Sequence, residues 1–177
     1  DYNKAIRYYE TALSDDPKLL DLSTDLAELY FKLKAFDEAK RVIIDAMKSL
    51  SSIEDTDYTN PKRVQYTLLM AKIFLEEDVQ SGDWKFKPNE DASKALYDAL
   101  QVQESVVERV RELSIDKVDN ERKIAADINY KLAKYLEERE GDVDGAIRAD
   151  ESCIKRDEEH KDSLFALAKL YLSQNDH

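Results

Sequence analysis

The sequence predicts an all-α fold in which about eight antiparallel helices stack as a solenoid. Its 177 residues include only three glycines and three prolines, against usual shares of about 7% and about 5%, so the chain lacks the turn residues that a sheet protein needs. Hydrophobic residues make up 42% of the chain, which is enough to bury a continuous core. The third observation is a recurring order of large, small and aromatic side chains.

Residues 20–51 carry this order of side-chain sizes most clearly. Large, small and aromatic positions follow one another there at fixed offsets, namely Leu26, Ala27 and Tyr30, then Ala39, Ile43 and Ala46. Helix axes approach to about 8–10 Å only where a facing side chain is short, so we expect Ala27 and Ala39 to meet where two helices cross. The spacing resembles a tetratricopeptide repeat, a helix pair in a unit of about 34 residues.

The chain begins with what we interpret as the second helix of a unit, at residues 1–16. Ala5, Tyr9 and Ala12 occupy the second-helix positions of the repeat. A solenoid unit cannot bury its apolar face without neighbours. We therefore expect the whole of 1–177 to be one fragment of a longer array.

A complete unit follows at residues 17–51, with helices at about 17–34 and 37–50. Asp16 and Pro17 predict the start of its first helix, because Asp accepts free N–H groups and Pro at the first helical position loses no hydrogen bond. The polar stretch that follows is predicted to be a loop that ends where Asn60 and Pro61 start the next helix.

The third unit, residues 60–114, is predicted to be expanded. Its first helix carries Met70, Ala71 and Phe74, and its second helix carries Ala92, Leu96 and Ala99. Ala71 and Ala92 are twenty-one positions apart, whereas Ala27 and Ala39 are twelve apart. The excess lies in the loop EEDVQSGDWKFKPNED, which contains Trp84 and Phe86. These two aromatics either fold over their own unit or anchor a partner protein.

A long helix is predicted from Asn89 to Leu113, which at about 1.5 Å per residue would extend about 37 Å. Its apolar positions fall on a seam that the next helix can cover across the short joint SIDK. The two sides of this seam are Leu96, Ala99, Val106, Val110 and Leu113, facing Ile124, Ile128, Leu132 and Tyr135. We expect the long helix to project past its neighbours.

The fourth unit, residues 117–158, and a further first helix at 160–174 complete the array. Their packing positions are Leu132, Ala133, Leu136, Ala146 and Cys153, then Leu167, Ala168 and Tyr171. Gly141 is expected to accommodate one extra residue at the turn of the fourth unit. Asp150 departs from the pattern, because a bulky side chain usually holds that position.

Several stretches resemble one family beyond the general repeat. They are DYNKAIRYYETAL, DLAELYFKLKAFDEAKRVI, ALYDALQVQESVVERVRELS and LAKLYLSQND, and they are similar to the tetratricopeptide repeat protein 21 family, the large repeat subunit of intraflagellar transport complex A. The resemblance implies a non-enzymatic scaffold of cilia or flagella that acts in retrograde transport and in delivering membrane cargo into cilia. Its implied partners are the other subunits of that complex.

The inner face of the array is the expected partner-binding surface. Asp21, Asp25 and Glu28 lie in the first complete unit, and Lys72, Lys134 and Lys169 recur in later first helices. The alternative function is a cytoplasmic peptide-binding adaptor for chaperones or ubiquitin ligases. Co-chaperone repeats that resemble this fold carry positive or amide side chains where Asp21 and Asp25 stand, which disfavours binding of a chaperone tail. An enzyme hosted by flanking sequence is the third hypothesis.

Charge and composition exclude other classes of partner. The net charge of −12 argues against nucleic acid, whose binding requires clustered Lys and Arg. No apolar run approaches the roughly 18 residues of a membrane span, and no signal peptide is recognised. Cys153 is the only cysteine, so an internal disulfide is impossible and a reducing compartment is the simpler interpretation.

The sequence predicts no catalytic residue, no metal site and no cofactor. Neither His160 nor His177 has a zinc ligand at a recognisable spacing. The stretch from Asp142 to Gly145 matches a calcium loop for three residues only, so Asp142 is interpreted as a helix cap. Cys153 occupies a small-residue packing position and is interpreted as an inert core residue.

Overall fold

The computed structural model describes residues 1–81 and 90–175, and within these ranges it contains eight α-helices and no strand. In chain order they are α1 (Tyr2–Asp15), α2 (Leu20–Lys32), α3 (Phe36–Leu50), α4 (Thr56–Ser81), α5 (Glu90–Leu113), α6 (Ile115–Tyr135), α7 (Val143–Arg156) and α8 (Lys161–Asn175). Each helix packs mainly against the helices before and after it. The predicted all-α solenoid is confirmed.

Helices α2 and α3 cross over small side chains. Ala27 and Ala39 are both fully buried, and they share one apolar cluster with Leu26, Tyr30 and Ile43. Ala46 belongs to the same cluster. Short side chains at the crossing allow the larger residues on either side to interlock. Helix α1 covers one edge of the cluster, where Tyr9 packs against it and Ala5 and Ala12 are half-buried.

Helix α4 presents apolar side chains to two clusters. Leu69 and Ile73 pack with α2 and α3, whereas Ala71 packs with Ala92 and Leu96 from α5. The half-buried residues Met70 and Phe74 border the first and the second cluster respectively. Tyr66 is fully buried and donates a hydrogen bond of 2.6 Å to the carbonyl oxygen of Leu20. Helix α4 therefore joins the two halves of the core.

The second half of the core repeats the alanine crossing. Leu132 and Ala133 of α6, and Leu136 directly after this helix, pack in one cluster with Ala146 of α7 and Leu167 of α8. Ala99 of α5 and Ile128 of α6 form a third cluster with Val64 of α4. Cys153 is fully buried on α7. The three clusters together extend from α2 to α8, and α4 contributes residues to each of them.

Two helices begin at positions that differ from the prediction. Helix α2 begins at Leu20, because Asp16 ends α1 and accepts the N–H of Lys18 at 2.9 Å, which leaves Pro17 in the turn. Helix α4 begins at Thr56, within the predicted polar loop, and Pro61 lies inside it. The cause is Asp55, whose Oδ1 accepts the N–H groups of Asp57 at 3.0 Å and Tyr58 at 3.3 Å. The polar residues that were predicted to form a loop therefore cap the start of α4.

The early start of α4 alters the predicted long hairpin. Arg109 of α5 pairs with Asp57 at 2.7 Å, so the end of α5 lies against α4 and does not project past it. Leu113 is 61% exposed and is not part of the seam. Ser114 alone separates α5 from α6, so the joint is shorter than predicted. The seam on α5 ends at Val110, which is half-buried.

A π-helical turn at Leu136–Glu140 separates α6 from α7. A π turn accommodates one residue more than an α turn, so it takes up the extra residue of the fourth unit. Gly141 follows with φ of 68°, a left-handed conformation that glycine adopts without a steric penalty. The predicted extra residue is therefore absorbed within the helix, and Gly141 ends that helix.

Ala168 and Tyr171 on α8 are exposed, in contrast to their predicted packing role. Helix α8 packs mainly against α7 and does so through Leu167 and Leu170. The face that carries Ala168 is left uncovered, because no helix among the described residues lies against it. The hydroxyl of Tyr171 donates a hydrogen bond to Glu151 of α7 at 2.8 Å.

Asp150 is buried between α7 and the start of α8, with 1% of its surface exposed. Burial raises the pKa of Asp150 to about 6, and the charge of Glu137 adds to this rise, while Ser163 and His160 oppose it. Neither Asp150 Oδ1 nor Ser163 Oγ makes a hydrogen bond of normal geometry among the described residues. The carboxylate form is therefore poorly compensated at this interface.

Enlarging a side chain at the alanine crossing should destabilise the fold. We expect Ala27→Leu to lower the free energy of unfolding by about 1–3 kcal/mol, because the extra atoms overpack a fully buried site. Urea denaturation followed by circular dichroism measures this change. Ala168→Leu is the matched control, since Ala168 is exposed, and it should change the stability by less than about 0.5 kcal/mol. Equal losses in both variants would contradict the packing argument.

The stability of the chain should fall with rising pH because of Asp150. Its folded pKa lies above the ordinary value near 3.9, so proton binding favours the folded state. This stabilisation is complete below about pH 4 and is lost as the pH rises through about 6. We expect Asp150→Asn to remove this dependence and to raise the free energy of unfolding at pH 7 by about 2 kcal/mol.

Urea denaturation at intervals between pH 4 and pH 8 measures this effect. Asp98→Asn is the matched control, because Asp98 is an exposed carboxylate on α5 and should leave the pH profile unchanged. An Asp150→Asn profile parallel to that of the wild type would show that the carboxylate is not responsible.

Candidate functional site

A groove lies where the first helices of successive units come together. The cavity has a volume of about 440 Å³, within the range of typical ligand pockets. We call it the α2–α4–α6 groove, and its lining residues are Glu28 from α2, Gln65, Leu68, Leu69, Ala71, Lys72 and Leu75 from α4, Leu96 from α5, and Lys131 from α6.

The floor of the groove arises from the helical spacing of α4. Leu68, Lys72 and Leu75 are separated by four and three positions, so they lie on one face of the helix. Leu68 and Leu75 are half-buried, because their inner sides pack against the core while their outer sides line the cavity. The groove therefore offers an apolar floor that the fold itself supports.

Charged side chains border this floor. Lys72 Nζ lies 4.5 Å from the centre of the Phe31 ring, a cation–π contact that holds the ammonium near the α2 side. Lys131 and Glu28 are exposed and form no hydrogen bond or ion pair with another described residue. The groove thus carries two positive charges and one negative charge that a partner can neutralise.

Of the predicted partner-binding residues that the structure describes, Glu28 and Lys72 line the groove together. Asp21 forms an ion pair with Lys62 of α4, and Asp25 is exposed outside the groove. Two predicted lysines also lie elsewhere. Lys134 is 3.9 Å from Glu138, and Lys169 is 5.2 Å from the Phe165 ring centre.

The sequence analysis overlooked five residues of the groove, and it named two aromatics that the structure does not describe. The overlooked residues are Gln65, Leu68, Leu69, Leu75 and Lys131. The spacing of Leu68, Lys72 and Leu75 could have predicted that they share one face of a helix. No sequence pattern links Lys131 to them, because it is 59 positions from Lys72. Trp84 and Phe86 lie outside the described residues.

The side chains that the sequence analysis weighed for chemistry hold structural positions in the described part of the chain. No group of three or more His, Cys, Asp or Glu among residues 1–81 and 90–175 is arranged to hold a metal ion. His160 has a structural role, since its Nδ1 accepts the N–H of Ser163 at 3.2 Å and its Nε2 lies 3.2 Å from Asp127. Asp142 accepts the N–H of Gly145 at 2.8 Å, which confirms the predicted cap of α7.

Cys153 is also unsuited to nucleophilic chemistry. Its side chain is fully buried, and burial raises the pKa of its thiol to about 11, with additional contributions from Asp150 and other nearby carboxylates. The thiolate is the reactive form of cysteine, so almost none is present at neutral pH. In the part of the chain that the structure describes, no helix is both long enough and apolar enough to cross a membrane.

The sequence of this chain is similar to those of known tetratricopeptide repeat proteins. A family sequence model described as the fourth ARM domain of tetratricopeptide repeat protein 21 matches residues 1–154. Human tetratricopeptide repeat protein 21B is 32% identical over 175 residues, and mouse tetratricopeptide repeat protein 21A is 27% identical over 172 residues. These alignments cover 99% and 97% of this chain and 12% of each relative.

A similar fold occurs among solved structures. The crystal structure of MamA aligns with a TM-score of 0.64 and 18% sequence identity, over 99% of this chain and 80% of that one. At this identity the similarity concerns the fold alone.

Burial should make Cys153 unreactive in the folded chain. We expect labelling by iodoacetamide at pH 7.5 to be slower than that of the urea-unfolded chain by at least about 100-fold, because both access and thiolate fraction are low. Mass spectrometry over a time course measures this rate. Labelling at the rate of the unfolded chain would show that the thiol is accessible. A Cys153→Ser sample controls for modification at other residues.

Proposed function

The chain belongs to the tetratricopeptide repeat protein 21 family, and we propose that it is a protein-binding segment of an intraflagellar transport complex A subunit. As a stack of tetratricopeptide units it is a protein-interaction scaffold. The chain spans 12% of the length of its curated relatives, so the role of the whole protein is part of the proposal. That role is retrograde transport and delivery of membrane cargo in a cilium or flagellum.

The α2–α4–α6 groove is the observation that carries this proposal. It combines an apolar floor with Glu28 and Lys131, whose charges are unpaired among the described residues. By contrast, the thiol of Cys153 is buried and His160 makes structural contacts in the described part of the chain. Recognition of other proteins is therefore the function that this surface supports best.

Affinity purification of the full-length protein from ciliated cells tests the proposed assembly. We expect the tagged protein to recover other subunits of intraflagellar transport complex A, identified by mass spectrometry. A full-length protein that lacks the segment corresponding to residues 1–177 should fail to recover at least one of those subunits, because the surface that binds it is lost. Recovery of chaperones or ubiquitin-ligase components alone would contradict the proposal.

A second variant separates loss of binding from loss of folding. Lys72→Glu combined with Lys131→Glu changes two exposed residues and leaves the core intact. It should reduce recovery of the same subunit that the deletion removes. Lys117→Glu combined with Lys123→Glu changes two exposed lysines of α6 outside the groove and should have no effect. Equal recovery with all four proteins would show that this chain does not bind the complex.

A further inference from the structure

The segment between α3 and α4, residues 51–55, presents two serine hydroxyls to solvent. Ser51 and Ser52 are both exposed. Within the described ranges this is the longest segment between helices that is not itself helical. Enzymes that modify a side chain must surround it in their active site, so exposed connecting segments are the preferred places for such reactions. The two serines therefore lie where a modifying enzyme can reach them.

Acidic side chains follow these serines at a fixed spacing. Glu54 comes three positions after Ser51, and Asp55 comes three positions after Ser52. Both carboxylates are exposed, and neither pairs with a cation among the described residues. With Asp57, the stretch 51–57 contains three carboxylates and no basic residue. A serine kinase whose substrate-binding cleft is lined by Lys and Arg would recognise such a segment through charge-assisted hydrogen bonds.

The same spacing occurs at two other serines, and the structure separates one of them from this pair. Ser105 comes three positions before Glu108 and is exposed, but it lies in the interior of α5. Ser173 comes three positions before Asp176, which lies outside the described residues. A kinase active site binds its substrate in an extended conformation, and opening the interior of a helix costs more free energy than opening a helix end or a loop. Ser105 therefore shares the sequence pattern of Ser52 but not its accessible backbone.

We propose that Ser52 is a phosphorylation site for an acid-directed serine kinase, and that its phosphate loosens the joint between α3 and α4. The kinase transfers the γ-phosphoryl group of ATP to Ser52 Oγ. A bond forms between Oγ and the γ-phosphorus while the bond to the bridging oxygen breaks, ADP leaves, and the hydroxyl proton passes to a carboxylate base of the kinase. Ser51 is modified second, because the phosphate on Ser52 then adds to the negative charge that follows it.

Both hydroxyls currently satisfy carbonyl groups at the end of α3. Ser52 Oγ donates a hydrogen bond of 2.7 Å to the carbonyl oxygen of Ser49, and Ser51 Oγ donates one of 3.1 Å to that of Met47. Phosphorylation of Ser52 removes its donor and places a charge of about −2 beside these carbonyls at pH 7. The carbonyl end of a helix carries the negative pole of its dipole, so the phosphate destabilises the last turn of α3.

This last turn holds α3 against α4. Leu50 and Ile53 flank the two serines and pack in the cluster that includes Ile73 of α4. Leu50 has only 1% of its surface exposed, so unwinding the turn would withdraw it from the core. The basic residue of this turn, Lys48, already pairs with Asp45 at 3.0 Å, which limits how far it can offset the phosphate. The modification therefore weakens the contact between two successive units of the solenoid.

Incubating the folded 177-residue chain with casein kinase II, an acid-directed serine kinase, and magnesium ATP tests the site. Mass spectrometry over a time course locates each phosphate and measures its rate of formation. We expect Ser52 to be phosphorylated at least about 10-fold faster than Ser105, because only Ser52 lies on a segment that opens readily. In unstructured synthetic peptides of residues 45–58 and 98–111, the two serines should instead react at similar rates.

A pair of charge variants tests the role of the acidic residues. Glu54→Gln combined with Asp55→Asn should slow phosphorylation of Ser52 by at least about 10-fold, since the contacts with the basic cleft are lost. Asn caps a helix as well as Asp does, so α4 is retained. Glu158→Gln combined with Glu159→Gln removes the same charge from two exposed positions between α7 and α8 and should leave the rate unchanged.

Hydrogen exchange of the phosphorylated chain tests the effect on the joint. The backbone amides of residues 48–53 should exchange at least about 3-fold faster than in the unmodified chain, because the last turn of α3 is destabilised. The amides of α7 should be unaffected. A Ser52→Ala chain treated with the same kinase and ATP should exchange at the same rate as untreated Ser52→Ala.

Four outcomes would overturn the inference. They are no phosphate on Ser52, equal rates at Ser52 and Ser105 in the folded chain, a rate that survives loss of Glu54 and Asp55, and unchanged exchange at residues 48–53 after phosphorylation. Circular dichroism of each variant excludes unfolding as the cause of a difference. Neither Ser51 nor Ser52 lines the α2–α4–α6 groove, so the result is independent of whether the full-length protein recovers complex A subunits.

Discussion

Close approach of paired helices at alanine residues is the constraint on which the rest of this structure depends. Ala27 with Ala39, Ala71 with Ala92, and Ala133 with Ala146 each have at most 1% of their surface exposed. A methyl group is the largest side chain that lets the axes of crossing helices come near enough for the flanking Leu, Ile and Tyr residues to interlock. The repeat of these pairs along the chain generates the solenoid.

Helix α4 connects this packing to recognition. Leu69, Ile73 and Ala71 bury parts of its circumference in two clusters, and Leu68 and Leu75 form the floor of the groove. The proposed binding surface is therefore held by the same helix that joins the two halves of the core. A rigid floor reduces the entropy lost when a partner binds, so the stability of the core also supports affinity at the groove.

Side chains of types that are common in catalytic and metal sites hold structural positions in this fold. His160 accepts the N–H of Ser163 near the start of α8, Asp142 caps α7, and burial suppresses the thiolate of Cys153. Asp150 is the exception, because its burial between α7 and α8 costs stability when it is ionised. The α2–α4–α6 groove, with its apolar floor and with charges that are unpaired among the described residues, is the proposed partner-binding surface.

The sequence by itself determined the helical class, the alanine pairs and the repeat unit, because side-chain size and periodicity act between residues close in the chain. It also identified Glu28 and Lys72, but not Lys131 or the leucine floor between them. Only the tertiary structure decided that Asp55 begins α4 early, that Arg109 reaches Asp57, and that Ala168 stays uncovered. The physical reason is that these contacts join residues far apart in sequence, whose meeting depends on helix lengths and crossing angles that no local pattern contains.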